Sequence, residues 1–392
     1  MKHHRTEWAL VLVLGASHSA QHFYSRVIPP LIPLLTVALQ LPLWQLGLLM
    51  SAYALGSGFG QTPMGILSDK YDRRYLLPPG LALTASGYII FALAPILGRA
   101  LPSFTLAGHE FSGSFVSMGC AMLISGLGDS TIHPTGYPLI SANVSRANKG
   151  KALGIWSSAA KLGDAAAPAL VGTLIIVATW DQILLVLGIL GLVYAAILFT
   201  VLSHDEFDTL PFRHASKVKD EMVPEPGFDM WKADRRTFIY PMLVVLLFFA
   251  TRMIATKGVN TFVPVFITEV YGYSLNYRGL NLGPESFANF YFSALLFVAA
   301  IVQLVAGSLV DRYDHRKVLI GFLLITTVAL AMLSYLTLSP LPLLFTLLAV
   351  GGGLWGLNPA RDALISDIAP PEWEGRTFGY LWTVAQIIGS LS

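Results

Sequence analysis

Charge is what this sequence has least of. Of 392 residues only 12% are Asp, Glu, Lys or Arg, about half of the roughly 25% usual in soluble domains. With 54% hydrophobic residues, the chain lacks the polar side chains to cover itself in water. Cysteine is nearly absent too: Cys120 stands alone, which excludes a disulfide scaffold within the chain. A formal net charge of +2 without a basic stripe excludes a nucleic-acid binder. No Gly-x-x-x-x-Gly-Lys-Ser/Thr loop occurs, so ATP is not the expected energy source. What remains is a polytopic membrane protein, an all-α chain for which lipid replaces water as solvent.

A spanning helix needs about 20 mostly apolar residues. Runs of that kind lie near 8–35, 45–67, 75–97, 112–140, 152–178, 182–202, 238–268, 286–310, 318–338 and 342–366, and an eleventh starts near Thr377. The basic start Lys2 to Arg5, the apolar Trp8 to Ala16 and the small residues Ser17 to Ala20 imitate a signal peptide. Cleavage there would cut through the first span, because Phe23 to Leu35 continues its pattern, so an uncleaved helix is predicted. Basic residues alternate between the two sides. Lys2, Arg5, Lys70, Arg73, Arg74, Arg146, Lys149, Lys151, the linker cations, Arg312, Arg316, Lys317 and Arg376 fall on one side; only Arg99 and Arg278 fall on the other. The positive-inside rule then places the N-terminus in the cytoplasm of a multi-pass protein of the cell (inner) membrane.

The polar stretch after six spans, 203–236, reads as a cytoplasmic linker between a six-helix bundle (1–202) and a second, incomplete bundle (237–392). The halves repeat. Pro134, Leu139-Ile140-Ser141, Gly150-Lys151 and Gly154 recur 225 residues later as Pro359, Leu364-Ile365-Ser366, Gly375-Arg376 and Gly379. The loop Gly65 to Arg74 matches Gly307 to Arg316 at an offset of 242. Two gapless matches in the same order point to duplication, a transporter architecture.

The Gly-x-x-x-Asp-(Arg/Lys)-x-x-Arg-Arg pattern of Gly65, Asp69, Arg73 and Arg74, with its second copy at Gly307, Asp311 and Arg316, resembles the signature loop of the major facilitator superfamily. That resemblance implies two six-helix bundles, with the last helix or helices missing from this chain. His22-Phe23, Leu77-Pro78-x-Gly80, His133-Pro134, Gly154, Gly163 and Pro168 are similar to the fosmidomycin-resistance-type group. That group has an acidic residue four positions after the first-span His, where this chain has Arg26. In such a loop Gly65, Asp69, Arg73 and Arg74, with Asp311 and Arg316, are candidate gating residues. Their ion pairs close the inner side and break when it opens.

Ionisable residues inside spans are informative, because each costs roughly 2.5–3.5 kcal/mol to insert. The cations are Arg26, Lys161, Arg252, Lys257 and Arg361; the acids are Asp129, Asp164 and Asp362; the histidines are His18, His22 and His133. Spacing puts His18, His22 and Arg26 on one stripe, Asp129 and His133 on another, Lys161 beside Asp164, and Arg252 beside Thr256. Arg26 and Arg252 are 226 apart, hence in nearly equivalent places of the two repeats. In the superfamily fold the first and seventh helices line the central cavity, and two arginines there resemble the anion clamp of organophosphate exchangers. Guanidinium is a planar fork for carboxylate, phosphate or phosphonate. Arg26, Arg252, His22, Lys161 and Lys257 are the candidate substrate ligands. Asp129, His133 and Asp164 are the candidate proton-coupling groups, since histidine titrates near neutrality. Lys161–Asp164 reads equally as a neutralising intrahelical pair, His18 as packing, and Arg361 as a snorkelling side chain.

The predicted function is a secondary active transporter, expected to be a monomer, moving a small anionic or amphipathic compound outward in exchange for protons. Uptake of an organic anion or organophosphate is the alternative. An intramembrane enzyme has little support, since no nucleophile accompanies the histidines. Divalent-metal transport through His18, His22, His133 and Asp129 is a minority reading opposed by the buried cations. No cofactor and no resident metal are predicted.

Overall fold

The computed structural model describes residues 2–145, 148–211, 240–277, 280–310 and 312–368, with Leu381, Val384, Ile388 and Gly389 beyond them. The linker after Pro211, the candidate gating residue Asp311 and the start of the eleventh span lie outside the described residues. The helices are α1 (Lys2–Ser25), α2 (Ile32–Leu39), α3 (Leu43–Lys70), α4 (Leu77–Ala92), the short α5 (Ala94–Leu97), α6 (Gly113–Asp129), α7 (Ile132–Asn143), α8 (Lys149–Leu174) and α9 (Trp180–Leu202). After the linker come α10 (Tyr240–Phe266), α11 (Pro284–Val310), α12 (His315–Tyr335), α13 (Pro340–Gly356) and α14 (Asn358–Ile368).

Each of the ten predicted complete spans is occupied by helix. Among the described residues, 8 are long and apolar enough to cross a bilayer by composition alone. The other two, α3 and α8, are long enough at 28 and 26 residues but too polar. α3 packs along α6, and α8 along α1. α8 carries the buried Asp164, and α3 the half-buried Ser57 and buried Ser68.

Proline divides several spans. The first ends its α-helix at Ser25 and restarts at Ile32, after a 3-10 turn at Pro29–Leu31. Proline lacks an N–H and its ring clashes with the carbonyl four residues back, here those of Ser25 and Arg26, so Pro29 and Pro30 cannot continue α1. The fourth span breaks at Ser130-Thr131 ahead of Pro134, and the tenth at Leu357 ahead of Pro359. These are the two prolines that match at an offset of 225, so a repeated residue produces a repeated break.

By compactness the chain forms two units, Met1–Phe212 with Thr261–Phe290, and Arg213–Asn260 with Tyr291–Ser392. In the first, α1 lies along α8, and α4 contacts both α6 and α9. Leu10, Leu14, Leu31, Leu35 and Trp156 are buried in its core. In the second, α12 lies along α13. Short antiparallel hairpins, Phe104–Leu106 with His109–Phe111 and Leu275–Tyr277 with Leu280–Leu282, fill two of the connections.

Candidate functional site

The first unit holds a polar cluster where α1 meets α8. Two helices this close need a residue without Cβ: a Cβ on Gly163 would stand 2.1 Å from the Ser19 carbonyl oxygen. The approach brings the next residue, Asp164, to the stripe of His22 and Arg26. Asp164 is buried, with 3% of its side chain exposed. Its Oδ1 accepts from Arg26 Nε at 3.0 Å and from His22 Nδ1 at 3.1 Å, and its Oδ2 accepts from Lys161 Nζ at 3.0 Å. Arg26 and Lys161 keep 18% and 26% of their side-chain surface open. One carboxylate thus faces an arginine and a lysine, so cations outnumber acids in the cluster. Lys161–Asp164 is therefore more than an intrahelical pair. Gly163→Val is expected to separate α1 from α8 and to destabilise the purified chain by about 1–3 kcal/mol, the usual cost of overpacking; a thermal melt in detergent reads it.

The three histidines also meet. His18 Nδ1–H donates to the Trp156 carbonyl at 2.9 Å. The His18 ring stacks on Trp156 at 4.0 Å and stands edge-on to His22 at 4.8 Å and to His133 at 5.1 Å. Trp156 fits because a Cβ on Gly136 would lie 2.1 Å from its ring. Asp129 and His133 do not share one helical stripe. The break ahead of Pro134 leaves Asp129 as the last residue of α6 and His133 in the first turn of α7. Asp129 accepts from the Ser57 hydroxyl at 2.7 Å, while His133 stacks on Tyr137 at 5.9 Å.

In the second unit, Arg252 Nη2 donates to the Leu354 carbonyl at 2.8 Å and to Asn358 Oδ1 at 2.6 Å. These two acceptors are neutral, while the charged Arg361 and Asp362 act on it from nearby and Arg361 shares the Asn358 oxygen. Thr256 and Asn260 continue its stripe at i+4 and i+8. All three are buried, and Arg252 Nε, Thr256 Oγ1 and Asn260 Oδ1 have no hydrogen-bond partner among the described residues. Asn260 was missed in the sequence, although one more step of four residues reaches it. Lys257 is half-buried but five residues past Arg252, so it lies on another face of α10.

The expected equivalence of the two arginines does not hold. Arg26 sits in the proline-induced turn and is paired with Asp164; Arg252 lies inside a continuous helix on neutral acceptors. Arg361 does not snorkel. It is 3% exposed, pairs with Asp362 at 2.7 Å and lies 4.5 Å from the Phe249 ring centre. Its head is held inside by Asp362 and the Phe249 ring rather than extended to the surface.

The Major Facilitator Superfamily model matches residues 14–392. The chain belongs to the major facilitator superfamily. It is 21% identical over 321 residues to the fosmidomycin resistance protein of Escherichia coli K12, covering 82% of this chain and 69% of that one. It is 22% identical over 285 residues to the hexuronate transporter of Bacillus subtilis, covering 73% and 60%. A solved bacterial homologue of the human lysosomal transporter Spinster, inward-facing and occupied, superposes with a TM-score of 0.73 at 17% identity, covering 97% of this chain and 79% of that one. The fold is the major facilitator fold, and the protein is a multi-pass membrane transporter rather than an enzyme.

The superfamily's signature loop is built differently in its two copies. After α3, Arg73 is 1% exposed. Its backbone N–H bonds Thr209 O at 2.9 Å, its Nε bonds Ser68 Oγ at 3.1 Å and its Nη1 bonds Leu210 O at 2.7 Å. It fastens the segment after α9 to the α3–α4 turn, a role with no counterpart in the expected gate. Asp69 is exposed, and Arg74 pairs with Asp72 at 2.7 Å. Gly65 and Gly307 have open space around them. Arg316 is exposed on α12. The equivalent acids Asp72 and Asp314 cap the 3-10 turn Arg73–Tyr75 and the helix α12, accepting from the backbone N–H of Arg74 at 3.0 Å and of Arg316 at 2.9 Å. An Asp immediately before a helical start is the signal that was available.

Proposed function

We propose that this transporter carries a small anionic organic compound out of the cell by alternating access in exchange for protons. The excess of positive charge around Asp164 carries this reading. Arg26 and Lys161 share one carboxylate and remain partly open, so a guest carboxylate, phosphonate or phosphate supplies the missing negative charge. In the second unit Arg252, held by neutral acceptors beside Thr256 and Asn260, whose side-chain oxygens have no partner among the described residues, offers an anion contact of its own with spare hydrogen-bonding capacity. Lys257, on another face of α10, is the weakest of the expected substrate ligands. Asp164 is assigned the counter-charge and Asp129 the transported proton. The gating assignment of Gly65, Asp69, Arg73 and Arg74, with Arg316 and Asp311, rests on the family motif.

Anions are expected to raise the melting temperature of the purified chain while neutral analogues do not. Arg26→Ala and Arg252→Ala should each weaken the effective anion about 10-fold or more, since a hydrogen bond to a charged group contributes about 1.5–3 kcal/mol. Equal shifts in wild type and both variants would refute the anion site. Uptake of an organic anion is the second reading, and the relative named for transport of hexuronate, an organic anion, supports its substrate class. Proteoliposomes with a pH gradient imposed in either direction separate the two.

A further inference from the structure

The geometry points to a transition-metal site in the first unit: His18, His22 and His133 hold one divalent ion of the zinc, cobalt or copper kind. One ring nitrogen from each histidine lies within 4.8 Å of the other two. The hydrogen bonds decide which nitrogens are available. A carbonyl oxygen only accepts, so His18 carries its proton on Nδ1, toward Trp156. Its Nε2 then presents a lone pair, and that nitrogen is buried without a partner among the described residues. His22 uses Nδ1 against Asp164, which leaves its Nε2. His133 Nδ1 is likewise buried without a partner among the described residues.

A histidine whose second nitrogen is fixed by a carbonyl or a carboxylate is the usual outer shell of a metal ligand, because that bond sets the tautomer and raises the basicity of the ligating nitrogen. Two of these three histidines have it. Water answers the geometry less well, since one water donates only two hydrogens to three converging nitrogens. Neutral imidazoles select zinc, cobalt, nickel or copper over magnesium and calcium. Three nitrogens leave a fourth position open. Zinc–nitrogen bonds of about 2.0–2.1 Å put ligand nitrogens about 3.4 Å apart, so the rings close by about 1 Å on binding. His22, with 27% of its side chain exposed, has room to move.

Buried cations were the objection to metal in the sequence. Within the unit that holds the histidines those cations are Arg26 and Lys161, and Asp164 offsets one of the two. Asp129 is not in the converging group.

The test uses the full chain in detergent, treated with chelator, dialysed and titrated with Co²⁺, whose visible bands report four-coordinate nitrogen ligation. One Co²⁺ per chain is expected, displaced by Zn²⁺. His22→Gln and His133→Gln should each weaken it at least 10-fold, and His18→Ala at least as much. His109→Ala and His204→Ala, both exposed, should leave it unchanged. Metal-free melting temperatures show which variants fold; if His18→Ala does not, the two glutamine variants decide. Absence of a one-to-one site, or a site that the His22 and His133 variants leave intact, overturns the proposal. Because the titration contains no organic anion, it fails or succeeds independently of the anion reading.

Discussion

Asp164→Asn is expected to cost about 3 kcal/mol of stability, near the low end of the range for breaking a buried ion pair. The substitution keeps the shape of the side chain and removes its charge. Arg26 and Lys161, each 3.0 Å from a carboxylate oxygen, then face one another's charge with no counter-ion between them. The penalty stays at the low end because 18% and 26% of those side chains are open, and water takes up part of the loss. Thermal or denaturant unfolding in detergent measures it.

The control is the double variant Asp164→Asn, Lys161→Met. Removing one of the two stranded cations should recover a substantial part of the loss, whereas Lys161→Met alone, which still leaves Arg26 on the carboxylate, should be mild. Residues that share one partner are strongly non-additive. Strictly additive effects would mean that the carboxylate is not the common counter-ion of the two cations. Excess anionic ligand should stabilise Asp164→Asn more than wild type, because the guest then replaces the carboxylate's missing negative charge.

The stripe His18–His22–Arg26 and the pair Lys161–Asp164 were legible from helical spacing, but their meeting was not. It depends on Gly163, whose missing side chain lets α8 touch the Ser19 carbonyl, and a glycine in a sequence does not name the backbone it will approach. The breaks in the first, fourth and tenth spans were harder to read. Proline is common in membrane helices, and only the structure separates a proline that a helix absorbs, such as Pro63 in α3, from one that ends it, such as Pro29. That distinction removed Asp129 and His133 from one stripe and Arg26 from equivalence with Arg252. The role of Arg73 was illegible for another reason. Its partners Thr209 and Leu210 lie more than a hundred residues away in the chain and offer backbone carbonyls, which carry no sequence signal.

Asp129→Asn is expected to abolish accumulation driven by a pH gradient while leaving substrate exchange across the same membrane intact. A coupling group must exist in two protonation states during the cycle, and an amide exists in one. Asp129 suits the role better than Asp164. The side chain of Asp164 is engaged by an arginine, a lysine and an imidazole, whereas Asp129 accepts from the Ser57 hydroxyl at 2.7 Å and interacts with the Tyr53 hydroxyl, groups that can bond the charged and the uncharged carboxyl alike. Its position at the last residue of α6, where the chain breaks before α7, lets a change of charge act on a joint in the backbone. Counterflow tests only binding and the swing between two open states, neither of which needs a proton to be released, so exchange should persist within about 2-fold of wild type. The structure should persist as well, because Asn keeps an oxygen for Ser57. If the variant still concentrates substrate against a gradient with an unaltered pH profile, the transported proton is carried elsewhere.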